Sequence, residues 1–175
     1  MRKFKEVFLV DEQTVKQRTI VNTNVEAHYI KSAIYETQVV DLQQLIGTNL
    51  LDKLCTLKGN NEIDLPENSN YKELLEDYIE DYLCFGVVKN IQLLLFAKIR
   101  NAGVTNYADA TENNLSLKEV QYIIQNAEDK VNFFGNRITQ YLSTNASKFK
   151  EYYNRKTEDL PHNPYQAVSN SIYLG

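Results

Sequence analysis

The chain has 175 residues, 43% hydrophobic and 24% charged, so it is long enough and apolar enough to bury a core and is not a disordered chain. Nineteen lysines and arginines against 23 aspartates and glutamates leave a net charge of −4, which excludes a protein whose whole surface binds DNA or an anionic membrane. Two cysteines, Cys55 and Cys84, are too few for a disulfide scaffold.

The chain begins basic, with Arg2, Lys3 and Lys5, but the apolar stretch Val7–Val10 is too short for a secretory signal. Over residues 6–23, Val15, Gln17, Thr19 and Val21 alternate with Thr14, Lys16, Arg18 and Ile20. The alternation and the β-branched residues predict an extended arm over residues 1–23. Both alternating faces mix polar and apolar side chains, so the arm is expected to pair with something outside the core.

A helical domain is predicted over residues 24–154. Asn24 can cap a helix in which Ala27, Ile30, Ala33 and Ile34 recur at three and four spacing. The pattern continues through Val39, Val40, Leu42, Leu45 and Ile46 and stops at Gly47, a residue suited to a helix C-terminus. Thr48 and Asn49 can restart it, with Leu50, Leu51 and Leu54 on one side. A polar loop containing Pro66 follows.

A long helix is predicted from Tyr71 to Ala102. Tyr71, Leu75, Tyr78, Tyr82 and Phe85 form one stripe, and Glu73, Glu76, Asp77, Glu80 and Asp81 form the opposite one. The most apolar stretch, Cys84–Ile99, is shorter than a membrane span and is interrupted by Lys89, Asn90 and Gln92, so a buried helix is expected. After a loop, Ser116–Glu119 reads as a capping box. Behind it Leu117, Val120, Ile124, Ala127, Val131, Phe134, Ile138 and Tyr141 alternate at spacings of three and four, a seam that should pack on the first long helix. Gly86 and Gly135 fall inside the two long helices, where glycine costs about 1 kcal/mol relative to alanine. Close helix crossing is expected there. A short helix carries Phe149, Tyr152 and Tyr153. Beyond it Pro161 and Pro164 rule out continuous helix, and residues 155–175 are expected to be an extended tail. The fold class expected is all-α: a helical bundle with two long core helices, an extended N-terminal arm and an extended C-terminal tail.

Few residues invite chemistry. His28 and His162 have no ligands at metal spacing, and neither cysteine has a partner at metal spacing. The six glycines make no phosphate loop, and there is no nucleophile elbow. No catalytic residue, metal or cofactor is expected. The acidic stripe admits several readings: a solvated helix face, a divalent-metal site, a surface for a basic partner, or the lining of a channel that repels DNA. Lys148, Lys150, Arg155 and Lys156 alternate with aromatic residues, but Glu151, Glu158 and Asp159 intrude on any phosphate-binding patch. Twelve tyrosines against no tryptophan suit protein interfaces as well as core packing. The candidate interface residues are Phe8, Val10 and Val15 on the arm and Tyr152, Tyr153, Tyr165, Ile172, Tyr173 and Leu174 near the C-terminus.

The order of these parts carries a resemblance. An arm containing Ile20–Val25 precedes a helix with Ile30–Ile34 and Gln38–Gly47. Leu50–Leu54, a polar loop and Tyr71–Leu75 at the head of a long apolar helix follow. Over roughly residues 20 to 153 the chain resembles the head–tail connector, or adaptor, proteins of tailed bacteriophages. It looks most like the ring proteins of phages of Bacteroidetes hosts, including crAss-like phages. The resemblance implies a virion protein made in the host cytoplasm that forms a ring with itself, usually twelve-fold, beneath the portal protein. It implies contact with the next neck or tail protein, and passage of genomic DNA through the channel without specific recognition. It implies no enzyme activity, no cofactor and no membrane. The acidic balance suits a channel through which DNA slides, with Glu73, Glu76, Asp77, Glu80 and Asp81 as candidate lining. The tail around Pro161 and Pro164 matches no motif of that family. From the residues alone, a helical cytoplasmic protein-binding or scaffold module is the alternative, and an enzyme using the carboxylates of Glu73–Asp81 is a third.

Overall fold

The computed structural model describes residues 3–21, 25–103, 117–153 and 159–160, and helices are their only regular structure. α1 spans Glu12–Arg18. α2, Ala27–Glu36, runs through a π-helical segment, Thr37–Leu42, into α3, Gln43–Gly59. α4, Ser69–Leu74, runs through a second π-helical segment, Leu75–Ile79, into α5, Glu80–Gly103. α6 spans Leu117–Thr144 and α7 spans Lys150–Tyr153. The chain is therefore an all-α bundle, and α5 and α6 are its two long helices. No helix among the described residues is long and apolar enough to cross a membrane.

The seam read from the sequence packs α6 on α5. Ala127, Val131, Ile138 and Tyr141 are buried, and Phe134 stacks on Phe85 with centroids 5.5 Å apart. Tyr141 stacks on Tyr78 at 4.2 Å. Ser116, the cap read from the sequence, lies outside the described residues. At Gly86 the expected close crossing occurs: a Cβ there would stand 2.3 Å from Thr37 Cγ2. At Gly135 the nearest atoms would be 3.4 Å away or more, an ordinary contact.

Gly47 interrupts α3 with φ 78° and ψ 159°, a conformation that side chains all but forbid. The break frees the amide of Thr48, which donates to the Leu160 carbonyl at 3.0 Å. The Thr48 hydroxyl accepts from Gln43 Nε2 at 2.8 Å. Leu160 thus returns to the bundle of its own chain. Gly47→Ala is expected to destabilise the fold by about 1–3 kcal/mol, read as a lowered urea midpoint with an unchanged slope.

Among its described residues, 3–21, the N-terminal arm is not one extended segment. Its middle is α1, started by Asp11, whose carboxylate accepts from the Thr14 amide at 2.7 Å. That bond holds the Asp11 carboxyl below the usual carboxylate range. Glu12 and Lys16 pair one turn apart. Phe4, Leu9, Val10, Val15 and Val21 are buried in the chain's own core, and Phe8 packs against it half-buried. Val10 and Val15 are therefore core residues rather than inter-subunit contacts, and Phe8 is spent largely within the chain. Propensity favoured a strand, but a cap and a buried face outweigh propensity in a segment of seven residues.

One side chain explains how an irregular segment can enter a helical core. Gln38 is fully buried. Its Nε2 donates to the carbonyls of Phe4 and Val7, both at 2.9 Å, and its Oε1 accepts from the Leu9 amide at 2.9 Å. Lys58 Nζ donates to the Leu9 carbonyl at 2.7 Å. Residues 4–9 have no ladder of their own, so side chains of the α2–α3 helix satisfy their buried backbone groups.

Candidate functional site

The acidic stripe does not survive as one face. A π-helical turn inserts one residue into the helical register, a rotation of about 100°. The segment Leu75–Ile79 lies within the stripe, so the acids after it turn away from those before it. Glu80 and Asp81 meet the guanidinium of Arg18 at the end of α1, at 2.6 Å and 2.8 Å. Glu76 lies 3.7 Å from Lys72, which also holds Asp64 at 2.6 Å. Glu73 and Asp77 are exposed. Among the described residues no group of three or more His, Cys, Asp or Glu could hold a metal ion.

The Arg18 clamp pins α1 to α5. Burial holds the Glu80 carboxyl above its ordinary range, and the Arg18 charge pulls it back down. An acid raised in the folded state makes folding more favourable as pH falls through its folded pKa. Removing Arg18 raises Glu80 further. Arg18→Ala is therefore expected to cost about 1 kcal/mol at neutral pH for these two partly exposed ion pairs. The deficit should shrink on acidification toward the ordinary glutamate range, which urea unfolding at pH 7 and pH 5 measures.

The cysteines are poor nucleophiles. Burial pushes both thiols up to about 12, with Asp52 adding at Cys55 and Arg18 opposing at Cys84. Tyr71 donates to the Glu151 carboxylate at 2.8 Å, and burial first, then that carboxylate, raises its phenol. The bond ties α7 to α4, and Phe149 packs edge-on against Tyr71 at 5.5 Å. Tyr152 is buried in the same core, so it is not available to a neighbouring subunit. Tyr153 is partly exposed, and its hydroxyl donates to the Leu142 carbonyl at 3.0 Å. Tyr165, Ile172, Tyr173 and Leu174 lie outside the described residues.

A cavity of about 300 Å³ opens beside Tyr78 and Tyr141, with Arg137 5.1 Å from the Tyr78 ring centroid. Its Thr144 hydroxyl and Asn145 amide donate to the carbonyls of Gln140 and Tyr141. The described residues lining it include no carboxylate, histidine or cysteine, and burial first, then the neighbouring Glu73 carboxylate, raises the phenol of Tyr141.

Among the described residues, the exposed large apolar side chains are Ile20, Tyr35, Val40, Leu65, Tyr122, Phe133, Tyr153 and Leu160, and two groups of them stand out as patches. On the first, Ile20, Tyr122 and Phe133 are 69%, 73% and 60% exposed. Ile20 and Tyr122 border a cavity of about 210 Å³ with Phe85, Val88 and Lys130. Lys130 Nζ sits 4.7 Å from the Phe85 centroid, and Phe133 meets Phe134 edge-on at 5.2 Å. The second patch is Tyr35 and Val40, on α2 and the π-helical turn that follows it. Sequence reasoning missed both. The available signal on α6 was that Tyr122 and Phe133 are large aromatic residues lying off the seam that the helix buries.

Residues 42–159, from the end of the first π-helical segment into the first residues of the tail, match a protein family described as a family of unknown function, DUF6712. No curated protein and no solved structure matches the chain.

Proposed function

Because this chain belongs to the DUF6712 family, whose function is unknown, we propose a role from its own residues: a structural subunit of a head–tail adaptor in a tailed-phage virion. Copies form a ring beneath the portal protein, extend the DNA channel and carry the next neck or tail component. The observation that carries this reading is the pair of exposed apolar patches on a bundle whose core is already closed. Exposed aromatic clusters on a folded chain mark surfaces that another protein covers. The order of elements that resembles the adaptor proteins supports the same role. Glu73, Glu76 and Asp77 remain the candidate channel lining, since they face solvent. Glu80 and Asp81 are given up to Arg18. The reading includes no catalysis and no cofactor.

The test is electron microscopy of the chain co-expressed with the portal protein encoded in the same genome. A ring of this chain seated on the portal is expected. A chain that neither forms rings nor binds the portal overturns the reading. One observation favours the alternative of a self-contained binding or scaffold module: residues 4–21 complete the chain's own core rather than a neighbour's. Under that reading the same micrographs show single particles and an unoccupied portal.

A further inference from the structure

We draw no further inference here: the strongest candidate, the cavity of about 300 Å³ beside Tyr78 and Tyr141 with Arg137 at its wall, carries nothing, because the Glu73 and Asp77 carboxylates act on the same Tyr141 phenol and oppose any anion that Arg137 would draw in, and nothing in the structure shows what fills it.

Discussion

Replacing Gln38 with leucine should lower the stability of the chain by about 3–5 kcal/mol, more than removing any exposed ion pair. The side chain is fully buried and makes three bonds to the backbone of residues 4–9. Leucine is similar in size, so the loss is one of hydrogen bonding and not of volume. It leaves the Phe4 carbonyl and the Leu9 amide without the partner Gln38 gave them and the Val7 carbonyl with only the weak Cys55 thiol donor at 3.6 Å, at about 1–3 kcal/mol for each buried group left unpaired. The chain can limit that cost by lifting residues 4–9 into water, but it then loses the burial of Phe4 and Leu9. Two measurements separate this from simple core damage. Urea unfolding should show the lowered midpoint. Amide exchange should show protection lost first at residues 4–21, while α5 and α6 keep theirs. Uniform loss of protection across the bundle would mean that Gln38 does not hold the N-terminal segment.

The same residue shows where the sequence was legible and where it was not. The α5–α6 pairing could be read directly, because a seam of eight apolar residues repeats at helical spacing and the partner helix is apolar in the matching region. Gly47 could be read as a break because no other residue tolerates its backbone angles. The N-terminal segment could not be read. Its helix is seven residues long, its apolar residues also alternate at strand spacing, and its burial depends on a glutamine 29 residues beyond Leu9. No local pattern marks Gln38 as buried, since glutamine is ordinarily a surface residue. The acidic stripe failed for a related reason. A plot at 3.6 residues per turn assumes an unbroken helix, and the π-helical turn Leu75–Ile79 shifts everything after it. The interface candidates divided accordingly. Val10, Val15 and Tyr152 were selected for being apolar, and the chain uses them in its own core. Tyr122 and Phe133 were passed over, although they are the apolar residues that the α6 seam cannot use.

Gly86→Ala should destabilise the chain by about 2–4 kcal/mol although it replaces the poorest ordinary helix former with the best. On an exposed helix the change would gain about 1 kcal/mol. Here the new methyl would stand 2.3 Å from Thr37 Cγ2, a distance that atoms do not share. Thr37 cannot turn aside. It is fully buried, its hydroxyl donates to the Ala33 carbonyl at 2.7 Å and accepts from Asn90 at 2.9 Å, and a rotated side chain would break both bonds. The helices must then separate, which loosens the packing around the π-helical turn. The clash involves a single methyl carbon, so its cause can be isolated. Thr37→Ser removes Cγ2 and keeps the hydroxyl and both of its bonds. The remaining Thr37 atoms would lie 3.4 Å and 3.5 Å from the new methyl, which a small shift accommodates. In the Thr37→Ser background the effect of Gly86→Ala should therefore change sign and approach the gain seen on an open helix. Gly135→Ala serves as the control, because its methyl would meet Tyr82 and Leu45 at 3.4 Å and 3.7 Å. It should be neutral or slightly stabilising without any second change. Thermal or urea unfolding of the four chains of the double-mutant cycle measures the coupling directly. A coupling near zero would mean that Thr37 is not what keeps residue 86 a glycine.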